Sequence, residues 1–86
     1  MHEMSIALEV CRLAEERLGG EALSDVVAVG VEVGNEAGVE PESLAFCLEA
    51  VLATPPFRGA RPVITRLPGD ILRLSYLEVD DGRPND

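Results

Sequence analysis

The residues of this chain whose types and spacing suggest a chemistry are the first three, Met1-His2-Glu3. A terminal amine followed by histidine at position 2 offers the α-amine, the His2 amide and the His2 imidazole within one short loop. If the Glu3 amide joins them, four nitrogens can lie in a plane, a donor set that suits Ni²⁺ or Cu²⁺ better than Zn²⁺. The amine must stay free, and the sequence favours that. Methionine removal needs a small second residue, histidine is large, and Met1 is therefore expected to persist. One force opposes the site: the start of a helix carries partial positive charge and repels a cation. Loss of amide protons on metal binding, together with the Glu3 carboxylate, offsets it. The plain alternative is a lone, exposed histidine with no metal duty.

Other constellations are poor. The chain has one histidine, no phosphate loop, and no Ser/His/Asp or Cys/His set that the pattern brings together, so it does not read as an enzyme. Glu40 and Glu42 can form a carboxylate pair at a loop-to-helix junction, but they read more simply as acids complementing a helix dipole. Cys11 and Cys47 fall in different helical segments with no C-x-x-C, which gives no ribbon-type zinc site and no thioredoxin-like motif. Two arrangements stay open for them: free, buried thiols acting as small hydrophobes, or a disulfide between the two helices.

The elements that must position the N-terminus follow from apolar spacing. In residues 4–18, Ile6, Ala7, Val10, Cys11, Leu13, Ala14 and Leu18 form one helical stripe opposite Glu9, Arg12, Glu15 and Glu16. Gly19-Gly20 supplies a left-handed cap. Residues 26–33 alternate as a strand, with Val27, Val29, Val31 and Val33 on one side and Val26, Ala28, Gly30 and Glu32 on the other. The small residues of the second face predict a close neighbour or a partly open face. Pro41 opens a second helix running to about Ala53. It is apolar nearly all round, including Phe46 and Cys47, and is expected to be the more buried of the two. Residues 62–67 and 71–79 read as strands joined by the turn Leu67-Pro68-Gly69-Asp70. The apolar phase shifts between Leu74 and Leu77, which predicts a bulge near Ser75-Tyr76. Residues 80–86 read as a frayed tail. The expected fold class is α+β, with two helices packed on one face of a small three-stranded sheet, in a single domain over residues 1–86.

Composition narrows the partners. The net charge is −9 and every basic residue is an arginine. From Glu32 to Glu49 there are five glutamates and no Lys or Arg. Such a surface repels duplex DNA and anionic membranes, so neither nucleic acid nor membrane is expected as a partner. The N-terminus shows no basic segment leading into an apolar one, and no apolar run is long enough to span a bilayer. A reducing, cytoplasmic location is expected.

Met1-His2-Glu3-Met4-Ser5 leading into an amphipathic helix resembles the start of the HypA/HybF family of nickel-insertion accessory proteins. The strand ending Val31-Glu32-Val33-Gly34, the segment Gly38-Val39-Glu40-Pro41-Glu42-Ser43-Leu44-Ala45-Phe46 and the stretch Gly69-Asp70-Ile71-Leu72-Arg73-Leu74-Ser75-Tyr76-Leu77-Glu78-Val79 are similar to that family's strand, second helix and last strand. The match runs along nearly the whole chain, in order. That family pairs a nickel-binding α/β domain with a zinc ribbon carried on two C-x-x-C pairs between the last two strands. Here only Leu67-Pro68-Gly69-Asp70 stands at that point, so the sequence looks like the nickel domain alone, closed by a hairpin turn and without structural Zn²⁺. The resemblance implies transient Ni²⁺ binding and delivery to [NiFe] hydrogenase, or to urease, with a partner GTPase and the hydrogenase large subunit precursor. It implies that His2 is the nickel histidine, Met1 the source of the terminal amine and Glu3 the motif's acid. Glu40 falls where some relatives place an assisting acid. A competing expectation is a protein-protein interaction module derived from the same family and without metal, whose partner binding charge reversal at Glu36 or Glu42 would weaken.

Overall fold

The computed structural model describes residues 2–80 of the chain. Its elements in chain order are α1 (Glu3–Leu18), a 3-10 turn (Gly20–Asp25), β1 (Val26–Gly34), α2 (Pro41–Leu52), β2 (Arg61–Leu67) and β3 (Leu72–Val79). The fold class is α+β, as the sequence predicts. Asp80, which the sequence places in a frayed tail, donates its backbone N–H to the Asp25 carbonyl at 2.9 Å; the rest of that expected tail, 81–86, lies outside the described residues.

The sheet order is β2-β1-β3, with β1 parallel to β2 and antiparallel to β3. The expected hairpin between the last two strands does not form, because the valine-rich β1 takes the centre and separates them. A parallel pair needs a crossover, and α2 makes it between β1 and β2. The link 68–71 then passes across the end of β1 to reach the opposite edge. Three backbone bonds hold it there: Gly34 N–H to the Ile71 carbonyl (2.6 Å), Asn35 N–H to Leu67 (2.8 Å) and Glu36 N–H to Gly69 (2.9 Å). A Cβ on Gly34 would overlap the Gly69 carbonyl oxygen, so only glycine lets the link lie this close.

Two bulges set which residues face the core. On β3, Gly30 pairs with Tyr76 and Val31 with Leu74, which leaves Ser75 as the extra residue where the apolar phase shifts. On β1, Val26 pairs with Val79 and Ala28 with Glu78, which leaves Val27 extra. Val26 is thereby buried and Val27 turned outward, reversing the alternation expected for those two residues. On the outer sheet face the Tyr76 ring lies over Gly30, where a Cβ would collide with it; this is the close neighbour the small residues predict. Glu32 pairs with Arg73 on that same face.

The inner face carries Val29, Val31 and Val33 against Ala7, Val10 and Ala14 of α1 and Leu44, Leu48 and Leu52 of α2, with Leu23, Phe57 and Leu74 closing the rim. α2 leans toward β2 and α1 toward β3. α2 buries Leu44, Leu48 and Leu52 and α1 the smaller Ala7, Val10 and Ala14, so α2 is the more enclosed as expected, although Phe46 and Ala50 face solvent. Gly19 ends α1 with its N–H on the Glu15 carbonyl; its φ of 79° is paired with an extended ψ of 158°, not the left-handed value expected.

Candidate metal centre

The amphipathic stripe of α1 fixes the N-terminus, because burial of Ala7 and Val10 holds the first turn against the core. His2 is the N-cap, in extended backbone (φ −83°, ψ 102°), and its exposed side chain makes no capping bond. The first intrahelical bond runs from the Ile6 N–H to the His2 carbonyl (3.3 Å). The amides of His2 and Glu3 lie ahead of it, among the N–H groups that a helix leaves unpaired. They can lose their protons to a metal without breaking a turn of helix. Met1 lies outside the described residues.

Glu3 stands in the first turn of α1 and reaches across to the second helix. Its Oε2 accepts the backbone N–H of Glu40 at 3.2 Å. That bond is the first cause holding the Glu3 carboxyl below its usual range; Glu3's own backbone N–H adds to it, and the nearby His2 acts in the same direction. Glu40 is the N-cap of α2, its side chain accepting the Glu42 N–H at 3.4 Å, with Pro41 following at the first helical position. The N-termini of the two helices therefore meet. Two positive dipole ends converge there, and Glu3, Glu40 and Glu42 supply negative charge to them.

The fold thus brings Glu3 and Glu40 together, with His2 beside Glu3 along the chain. Among the described residues no three His, Cys, Asp or Glu side chains are gathered to hold a metal ion. A metal at this terminus would draw on backbone and terminal nitrogens, with the imidazole as the side-chain donor. The link from Glu3 to Glu40 is absent from the sequence reading: the two residues are 37 apart, and no local pattern joins them. Both cysteines are free and partly buried. Burial raises the Cys11 thiol to about 11, which keeps it protonated at neutral pH and a poor metal ligand. No helix among the described residues is long and apolar enough to cross a membrane.

Known proteins are similar to this chain in sequence. The family described as "Hydrogenase/urease nickel incorporation, metallochaperone, hypA" matches residues 1–72, from the terminus to the first residue of β3. The hydrogenase maturation factor HypA of Azotobacter chroococcum mcd 1 is 48% identical over 69 residues, which cover 80% of this chain and 61% of that protein. The HypA of Geobacter metallireducens is 44% identical over 69 residues, covering 80% of this chain and 60% of its own length. The HypA of Chlorobaculum parvum is 44% identical over 64 residues, with 74% and 57% covered. The chain spans about three fifths of the length of the curated relatives it matches. On the extent of that match, the chain belongs to the HypA family.

Proposed function

We propose that this protein is a nickel-binding accessory protein that carries Ni²⁺ as cargo for the maturation of [NiFe] hydrogenase, or of urease. The observation that carries this reading is the exposed His2 at the head of α1, with two backbone amides ahead of the first helical hydrogen bond, in a chain of the HypA family. In this reading the Met1 amine, the amides of His2 and Glu3 and the His2 imidazole hold the ion. Glu3 and Glu40 contribute negative charge that offsets the two helix dipoles. Each also accepts a backbone N–H through one carboxylate oxygen.

A site made of an exposed terminus, with few side-chain donors, releases its ion readily, and a carrier needs that property. The receiving partners are a GTPase of nickel insertion and the hydrogenase large subunit precursor, met in the cytoplasm. The protein itself performs no catalysis, and no structural Zn²⁺ belongs to the reading.

The test is complementation. Cells lacking this gene are supplied with the wild-type chain or with His2→Ala, and hydrogenase activity is assayed at limiting nickel. The variant should leave activity near the deletion level, and excess nickel in the medium should restore it. Full activity from His2→Ala at limiting nickel would contradict the reading.

A further inference from the structure

Three acidic side chains of this molecule are paired with arginines. On the outward side of α1, Glu9 and Glu16 both pair with Arg12, and on the outer sheet face Glu32 pairs with Arg73. α2 differs. Glu42 and Glu49 are exposed, and neither enters a salt bridge among the described residues. Between them lies Phe46, 66% exposed, the highest value among the exposed large hydrophobic side chains.

Spacings of four and three residues place Glu42, Phe46 and Glu49 along one side of the helix. Their exposed neighbours Ser43, Ala50 and Ala53 are small, so the ring stands clear of its surroundings. The opposite side is anchored by Leu44, Leu48 and Leu52, all fully buried. The ring is therefore presented by a rigid helix, and little ordering cost attaches to its burial by a partner.

Charge selects the occupant. A second copy meeting this one α2 face to α2 face would set Glu42 and Glu49 against like charges, and an anionic lipid surface would repel them. A protein surface with an apolar pocket ringed by basic groups satisfies the aromatic ring and the carboxylates together. We infer that the outward face of α2 is a docking surface for a protein partner whose apolar pocket takes Phe46 and whose flanking arginine or lysine side chains pair with Glu42 and Glu49. The surface stands on its own observations and holds whether or not the terminus carries nickel.

The test uses the whole chain, nickel-free. A photo-crosslinking phenylalanine analogue is placed at position 46 and, as a control, at Leu72, an exposed position on β3. Irradiation in the native cells should give a product with one other protein from position 46 and not from position 72. That protein, identified by mass spectrometry and purified, is then titrated with wild type, Phe46→Ala and a Glu42→Arg/Glu49→Arg double variant. Phe46→Ala should weaken binding about tenfold or more. The double variant should also bind more weakly and lose the decline of affinity with salt that wild type shows. Circular dichroism should be unchanged in Phe46→Ala, and a Glu49→Arg single variant, which leaves the first turn of α2 untouched, should weaken binding in the same direction as the double variant. No product from position 46, a product with a second copy of this chain, or a purified partner indifferent to both variants would overturn the inference.

Discussion

Glu3 shows how one side chain can serve two elements. It complements the dipole of its own helix and accepts the Glu40 N–H at the start of the other. The bond favours the charged form, so the folded chain holds this carboxyl below its ordinary value of 4.5. A carboxyl with a depressed folded pKa contributes stability that is present above the unfolded value and lost as pH falls through the folded one. Glu3→Gln keeps an acceptor but removes the titration. Urea midpoints of wild type and Glu3→Gln should therefore differ most at neutral pH and converge as pH drops below 4.5. A difference that stays constant through that range would show that the carboxylate does not tie the helices. The sequence marks Glu3 and Glu40 as acids at two helix starts, but their contact follows from tertiary packing and cannot be read from either segment. Phe46 was missed for a different reason: in a helix apolar on nearly every side, periodicity does not say which residue faces out.

Among the elements, α2 joins the sheet to the N-terminal junction. Its stripe Leu44, Leu48 and Leu52 is fully buried against the valines of β1, and its N-cap carries the contact to Glu3. Leu48→Ala should cost about 2–5 kcal/mol, the range for deleting a buried leucine side chain, read as a lowered urea midpoint; a cost well under 1 kcal/mol would mean the helix is not seated as described. Gly34→Ala tests the other end of β1. Because a Cβ there meets the Gly69 backbone, the link must shift, and the variant should lose protection from hydrogen exchange at the amides of Gly34, Asn35 and Glu36; unchanged protection would contradict the tight crossing. The helices were legible because their apolar spacing is local. The β3 bulge was legible for the same reason, since Leu72, Leu74, Leu77 and Val79 record the change of phase. The Val27 bulge was not, as a run of valines reads the same in either register. The strand order was hidden too. Turn chemistry at 67–70 shows where the chain bends, but which strand lies beside which is settled by the sheet as a whole.

For the molecule as a whole, a small aliphatic core supports a strongly acidic exterior. The charge of −9 is only partly compensated: Arg12 pairs with Glu9 and Glu16 on α1 and Arg73 with Glu32 on the outer sheet face, while Glu42 and Glu49 of α2 enter no salt bridge among the described residues. The N-terminus proposed to hold nickel and the α2 face proposed to dock a partner both belong to the helical layer. The most direct test of the nickel reading is a Ni²⁺ titration of the untagged chain by calorimetry and absorption, beside His2→Ala and a variant with one residue added before Met1. Stoichiometric binding by the wild type with a square-planar d–d band, lost in both variants, is the predicted result. Equal binding by all three would contradict a site at the terminus.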